Sequence, residues 1–221
     1  MLYKKVTDSP VVTEYLAGVI AGHLKQGERV FWVIPGGSAM TVAVEVAQRL
    51  KGLETSNLHI TLTDERFGDV GHSDSNWKQL DDAGFVVQGA HLTPVLTGED
   101  IEKTTKRFAK VLEAELAESD FSIGLFGMGA DGHTAGILPD SAAVMSNDVA
   151  THYQASNFSR ITMTPAAISK LDEAVLYAFG PEKLEALEKL QINIALNEQP
   201  AQILKKVPKL IIYNNLIGDE I

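Results

Sequence analysis

The sequence has no cysteine in 221 residues. Disulfides, thiolate nucleophiles and cysteine-based metal sites are therefore excluded. No apolar run approaches the ~20 residues that a membrane-spanning helix needs. The first residues, Met1-Leu2-Tyr3-Lys4-Lys5-Val6, hold no long apolar signal core. A soluble, cytoplasmic chain without a membrane partner is expected. Positive charge is also in short supply: 19 Lys and Arg stand against 29 Asp and Glu, a formal net charge of -10. Such a surface repels nucleic acid, and no nucleic-acid partner is expected. It repels an anionic metabolite too, so a ligand of that kind needs a local cluster of cations. With Arg29, Arg49, Arg66, Arg107 and Arg160 as the only arginines, each one is informative.

What is present is apolar patterning along the whole length. Hydrophobic residues make up 45% and charged residues 22%, enough to bury the core of a single domain spanning residues 1–221. Asp8-Ser9-Pro10 reads as a helix start, with Val12, Leu16, Val19, Ile20 and Leu24 on one face. Arg29 to Ile34 reads as a buried strand, broken by Pro35-Gly36-Gly37-Ser38, and a second helix runs through Val42, Val46 and Leu50. Leu58 to Thr63 is the next strand and opens into a polar loop at Asp64-Glu65-Arg66. A helix starts near Ser75-Asn76, and a long amphipathic one covers about Asp100 to Glu118. Further strands fall at Phe121 to Phe126, Arg160 to Thr164, Ala174 to Phe179 and Lys209 to Tyr213, with a helix opening at Gly180-Pro181-Glu182-Lys183. Residues 139–157 carry no clear pattern. The repeated strand, loop, helix order predicts an α/β fold in three layers, α/β/α, around a doubly wound, mainly parallel sheet of modified Rossmann-like type.

In such sheets ligands bind beyond the carboxyl ends of the strands. Here those ends carry Gly36-Gly37-Ser38, Asp64-Glu65-Arg66 and Gly127-Met128-Gly129-Ala130-Asp131-Gly132-His133. Gly36, Gly37 and Ser38 suit either an anion cradle of backbone amides or a plain turn with Ser38 as N-cap. Arg66 suits an oxyanion, or a pairing with Asp64 or Glu65 that stiffens the loop. Gly127 to Gly132 satisfies G-x-G-x-x-G, but Asp131 would face a pyrophosphate and Pro139 cuts short any crossover helix, so a dinucleotide is rejected. His133 follows flexible glycines at the mouth of a buried strand. It is either a base for water, with an unperturbed pKa near 6.5 and Asp131 to orient it, or the cap of a following helical turn. Asp64, Glu65, Asp69, His72 and Asp74 match no metal-ligand spacing, and no metal is expected. Lys183, in a first helical turn where the dipole disfavours a cation, points to an anion nearby or to a pairing with a neighbouring Glu.

Taken together, these motifs resemble the 6-phosphogluconolactonases, a family in a larger group that includes the hexosamine-phosphate deaminases. Gly127 to Ala135 is close to the family's Gly-x-Gly-x-Asp-Gly-His-x-Ala signature; Asp64-Glu65-Arg66 with Asp74-Ser75-Asn76 is similar to a second. Gly36-Gly37-Ser38, Arg160 to Thr164 and Gly180 to Lys183 resemble its remaining motifs. The resemblance implies hydrolysis of 6-phospho-D-glucono-1,5-lactone to 6-phospho-D-gluconate in the oxidative pentose phosphate pathway, with no cofactor and no metal. It implies His133 as general base and Arg66, Arg160 and Lys183 as phosphate and substrate binders. Backbone amides near Gly36-Gly37 are candidate oxyanion donors. It assigns no oligomeric state. The chain departs from the family at Ser38-Ala39-Met40, usually Ser-Thr-Pro, at Gly68-Asp69, usually Val-Pro, and at Ala135-Gly136-Ile137-Leu138-Pro139, often Ala-Ser-Leu-Phe-Pro. Two rival readings are a hexosamine-6-phosphate deaminase or isomerase and a non-catalytic sugar-phosphate sensor. The deaminases carry Tyr after Asp-Glu where this chain has Arg66; sensors add a DNA-binding or partner domain.

Overall fold

Five consecutive apolar residues, Val30 to Ile34, form a strand in which every side chain is buried. Strands covered on both faces read as continuous apolar runs, and that pattern belongs to parallel sheets. The computed structural model, which describes residues 1–220, bears this out. In chain order the elements are β1 (Leu2–Lys5), α1 (Pro10–Lys25), β2 (Val30–Ile34), α2 (Met40–Arg49), β3 (Leu58–Leu62), β4 (Asp64–Arg66), α3 (Asn76–Asp82), β5 (His91–Leu92) and α4 (Ile101–Glu118). There follow β6 (Phe121–Gly127), β7 (Ala150–Gln154), β8 (Ser159–Met163), α5 (Pro165–Ile168), β9 (Glu173–Ala178), α6 (Leu184–Gln191), β10 (Lys209–Asn214) and β11 (Asp219–Glu220). Eight strands form the main sheet in the order β11-β1-β10-β9-β6-β2-β3-β5. Every neighbouring pair in it is parallel.

From β2 the chain builds outward through β3 to β5, then returns to the other side of β2 and builds through β6, β9 and β10. Right-handed crossovers place helices on opposite faces when the direction of building reverses. So α1 and α2, which pack on each other, cover one face, and α4 and α6 cover the other. The reversal lies between β2 and β6, whose pairing runs from Val30 and Phe121 to Val33 and Gly124. At that point the two departing loops diverge and leave a crevice.

The local expectations hold where patterning is strong. Asp100 caps α4 by accepting from the Lys103 amide at 2.9 Å, and Phe108 and Leu112 are buried along its inner stripe. Others are corrected. Asp64-Glu65-Arg66, read as the start of a loop, is β4. Arg160 to Met163 is a strand, but it lies outside the main sheet. It pairs antiparallel with β4 and with β7, which sits in the unpatterned stretch 139–157, to make a separate three-stranded sheet, β4-β8-β7. The short strands β1, β5 and β11, at or next to the edges of the main sheet, carry no sequence signal, because two to four residues give too little periodicity. Among the described residues no helix is long and apolar enough to cross a membrane.

Candidate active site

The crevice is built from three connections. The first follows β2. Gly36 is extended, and a Cβ there would lie 2.2 Å from Asn76 Oδ1, so only glycine allows the chain to pass. Gly37 has φ +69 and opens a 3-10 turn, Gly37–Ala39, that runs directly into α2. Ser38 is not an N-cap: Gly36 flanks the turn, and no side chain caps it. The first amides of a helical segment have no partner within it, and Gly36, Gly37 and Ser38 line the crevice.

The second connection follows β6. A Cβ on Gly129 would lie 2.2 Å from His133 Nδ1, so glycine is what lets the imidazole fold back over the main chain. The loop closes on itself through Gly129 N to His133 O and Gly132 N to Gly129 O, both 3.0 Å. Asp131 Oδ1 accepts from the His133 amide at 3.1 Å and lies 2.6 Å from His133 Nδ1. A carboxylate acceptor keeps the proton on Nδ1 and leaves the Nε2 lone pair free. Partial burial works to raise the Asp131 carboxyl, but the His133 amide and ring outweigh it and hold it below its ordinary value. No helix follows. Ala135 and Gly136 take φ of 49 and 69, and an isolated bridge joins Thr134 to Ile137. This removes both the dinucleotide arrangement and the reading of His133 as a helix cap. The turn is instead pinned from outside: Thr134 Oγ1 donates to Gly127 O at 2.7 Å, Tyr153 OH to Gly136 O at 2.5 Å, and Thr162 Oγ1 to Ala135 O.

The third wall is the small sheet, where Arg66, Arg160 and Tyr153 are register partners across β4, β8 and β7. The two arginines are held differently. Arg160 Nη1 meets Asp64 Oδ2 at 3.3 Å, and the Asp64 side chain is only 7% exposed. Arg66 does not pair with Asp64 or Glu65, the alternative open from the sequence. Its Nη1 donates to the Asp74 carbonyl at 3.0 Å and its Cζ lies 5.4 Å from the centre of the Phe158 ring. Glu65 points the other way and is fully buried. It accepts from the amides of Arg66, Asn76 and Trp77 and from Ser75 Oγ, at 2.6 to 3.0 Å. Burial pushes its carboxyl up, and these donors pull against that. Glu65 thereby clamps the start of α3 and places Asn76 at the crevice. Lys183 ends a 3-10 turn, Pro181–Lys183, and flanks α6 rather than sitting in its first turn. It is buried, at 8% exposure, and among the described residues its ammonium has no ion-pair or hydrogen-bond partner. Burial lowers its pKa, with Glu182 opposing.

These walls enclose a cavity of about 250 Å³. Gly36, Gly37, Ser38, Arg66, His133, Arg160 and Lys183 all line it, and Asp131 stands behind His133. Every residue singled out from the sequence is thus at or next to one pocket. Asp64, Asn76 and Met128 also line it. All three lie inside motifs quoted from the sequence, Asp64 in Asp-Glu-Arg, Asn76 in Asp-Ser-Asn and Met128 in the glycine run before His133, but nothing in the chain assigned them a place in the lining. The other histidines have separate partners: His59 Nδ1 lies 2.9 Å from Glu115 Oε1, and His72 Nε2 lies 3.0 Å from Arg66 O. Among the described residues no three His, Asp or Glu come together as a metal would require.

The profile of the glucosamine-6-phosphate isomerases/6-phosphogluconolactonase family matches residues 9–212. The chain belongs to that family. The 6-phosphogluconolactonase of Helicobacter pylori strain J99 is 30% identical over 203 residues, 86% of each chain. Among solved structures, a 6-phosphogluconolactonase from Shewanella baltica OS155 superposes with a TM-score of 0.81 at 21% identity, covering 97% of both chains. A monomeric glucosamine-6-phosphate deaminase superposes with a TM-score of 0.80 at 17% identity, again over 97% of both. A lactonase and a deaminase therefore share this fold, so fold alone does not fix the chemistry.

Proposed function

We propose that this chain hydrolyses 6-phospho-D-glucono-1,5-lactone to 6-phospho-D-gluconate, with His133 as the general base. The observation that carries the reading is the convergence on one cavity of an imidazole backed by a carboxylate and three cationic side chains. Membership of the family and the Helicobacter relative support it.

The lactone is an activated ester, so the reaction needs a placed water, a base and donors for the developing oxyanion, not a covalent nucleophile. His133 Nε2 takes a proton from water as its oxygen bonds to the ring carbonyl carbon. Asp131 holds the ring and stabilises the imidazolium. When the carbon–ring-oxygen bond breaks, His133 returns the proton to the departing oxygen, and the product is the open-chain acid. Backbone amides of Gly36-Gly37-Ser38, residues that line the cavity, serve as donors to substrate oxygen. Arg66 and Lys183, which form no salt bridge with a carboxylate among the described residues, take the phosphate. Arg160, half-neutralised by Asp64, contacts the sugar end. Binding energy from the remote phosphate thus orients the reacting carbon. The proposal invokes neither metal nor cofactor.

The test is an assay of 6-phosphogluconate formation from freshly made lactone, corrected for spontaneous hydrolysis. His133→Ala is expected to keep its fold by circular dichroism and to lose on the order of 10²-fold or more in kcat. Unchanged turnover removes His133 from the mechanism. Because a deaminase shares the fold, ammonia release from glucosamine 6-phosphate is measured alongside; release at a comparable rate replaces the lactonase reading.

A further inference from the structure

We infer that Phe158 is a positioning residue for substrate phosphate, acting as an aromatic shelf that holds the Arg66 guanidinium at the cavity without neutralising it. The inference rests on the reading of Arg66 as a phosphate binder. Phe158 lies outside the cavity lining, in the connection between β7 and β8, where Ala155 N donates to Phe158 O at 2.9 Å and Phe67 N to Ser159 O at 2.8 Å. The first bond closes the connection on itself and the second ties the residue after Phe158 to the chain just beyond β4, so main chain carries the ring to Arg66.

A mobile arginine is an inefficient phosphate ligand, because its side-chain freedom is lost on binding. A carboxylate partner removes that freedom but also cancels charge, as Asp64 does for Arg160. An aromatic face within about 6 Å of the cation restrains it and leaves its charge available. Arg66 has this second arrangement. Its Cζ is 5.4 Å from the Phe158 centroid, one Nη is spent on the Asp74 carbonyl, and its Nε is buried without a partner.

The test compares Phe158→Leu, Phe158→Tyr and Arg66→Ala, each with 6-phosphogluconolactone and with unphosphorylated glucono-1,5-lactone. Phe158→Leu is expected to raise KM for the phosphorylated lactone roughly three- to tenfold, with kcat within about twofold. It leaves the unphosphorylated lactone unaffected, and Phe158→Tyr, which keeps the ring, restores the normal KM. KM does not depend on how much of the protein is folded, so partial misfolding cannot imitate this result. If Arg66→Ala raises KM and Phe158→Leu does not, the shelf is wrong. Equal effects of Phe158→Leu on both lactones also overturn it, since they mark a merely structural role. If Arg66→Ala itself leaves KM unchanged, the reading of Arg66 fails first.

Discussion

Lys183 is a buried residue, 8% exposed, whose ammonium has no hydrogen-bond or ion-pair acceptor among the described residues. Folding depresses its pKa below the ordinary 10.5 because burial disfavours the charged form. A group depressed in this way opposes folding while it is protonated. The penalty is therefore present at neutral pH and disappears as pH rises towards 10.5. Replacing the ammonium with a methylthio group of similar reach removes the penalty and the anion ligand together. Lys183→Met is expected to raise Tm by about 2–4 °C and to raise KM for the phosphorylated lactone by roughly tenfold or more. Calorimetry and steady-state kinetics on the same preparation check both, and a fall in Tm would show that the ammonium is stabilised by something else. Asp131 is the opposite case: it gains from its surroundings, and the 2.6 Å contact with Nδ1 fixes which imidazole nitrogen faces the cavity. Both residues sit in glycine- or proline-marked motifs, and for that reason they were legible before any coordinates. The partners of Arg66 were not. Phe158 and the Asp74 carbonyl are 92 and 8 residues away, and no local pattern announces contacts of that kind.

At the scale of elements, the small sheet joins the two halves of the site. The row at the end of β4 carries Arg66, Arg160 and Tyr153; the first two line the cavity and the third pins the turn that follows His133. That turn depends on Gly136, which has φ +69 and packs so closely that a Cβ would lie 2.5 Å from Asp64 Oδ2. Alanine there is strained in its backbone by ~1–2 kcal/mol and displaces the carboxylate that Arg160 needs. Gly136→Ala is expected to lower Tm by at least about 2–4 °C and to reduce kcat/KM, whereas Gly18→Ala, in the middle of α1 with open space around it, leaves activity unchanged and gains stability. Thermal melts of the pair separate the strained glycine from the permissive one; equal behaviour would mean that the turn relaxes freely. The small sheet escaped the sequence because β4 is three polar residues and β7 is mostly half-buried Ala-Thr-His-Tyr-Gln. Neither has the apolar run that marks a strand in the main sheet. Their pairing is tertiary, made by bringing residue 64 beside residue 162.

At the scale of the whole molecule, a net charge of -10 surrounds a cavity lined by Arg66, Arg160, Lys183 and His133. Three of the 19 Lys and Arg converge on this one cavity. A dianionic ligand bound there bridges the loops after β2 and β6, the small sheet and the start of α6, so its binding is linked to global unfolding. The product 6-phosphogluconate at about 100 times its Kd is expected to stabilise by ~2.7 kcal/mol, a Tm increase of roughly 5–10 °C. Gluconate, without the phosphate, is expected to do far less, and in Lys183→Met the response to 6-phosphogluconate shrinks. Thermal-shift titration checks this, and equal shifts from both acids would remove the phosphate from the binding account.

Local chemistry in the chain was enough to determine the long buried parallel strands, the helices between them and the glycine breaks after β2 and β6, while the resemblance to a family pointed to the groups that meet in the cavity. Apolar runs, caps and glycines act over a few residues, and their signals survive in one dimension. Only the tertiary structure decided that β4, β7 and β8 form their own sheet, that Asp64 belongs to Arg160 and not to Arg66, and that Lys183 is buried with no hydrogen-bond or ion-pair partner among the described residues. Those outcomes depend on which distant segments share a wall of the crevice, and strand order, not sequence spacing, sets that.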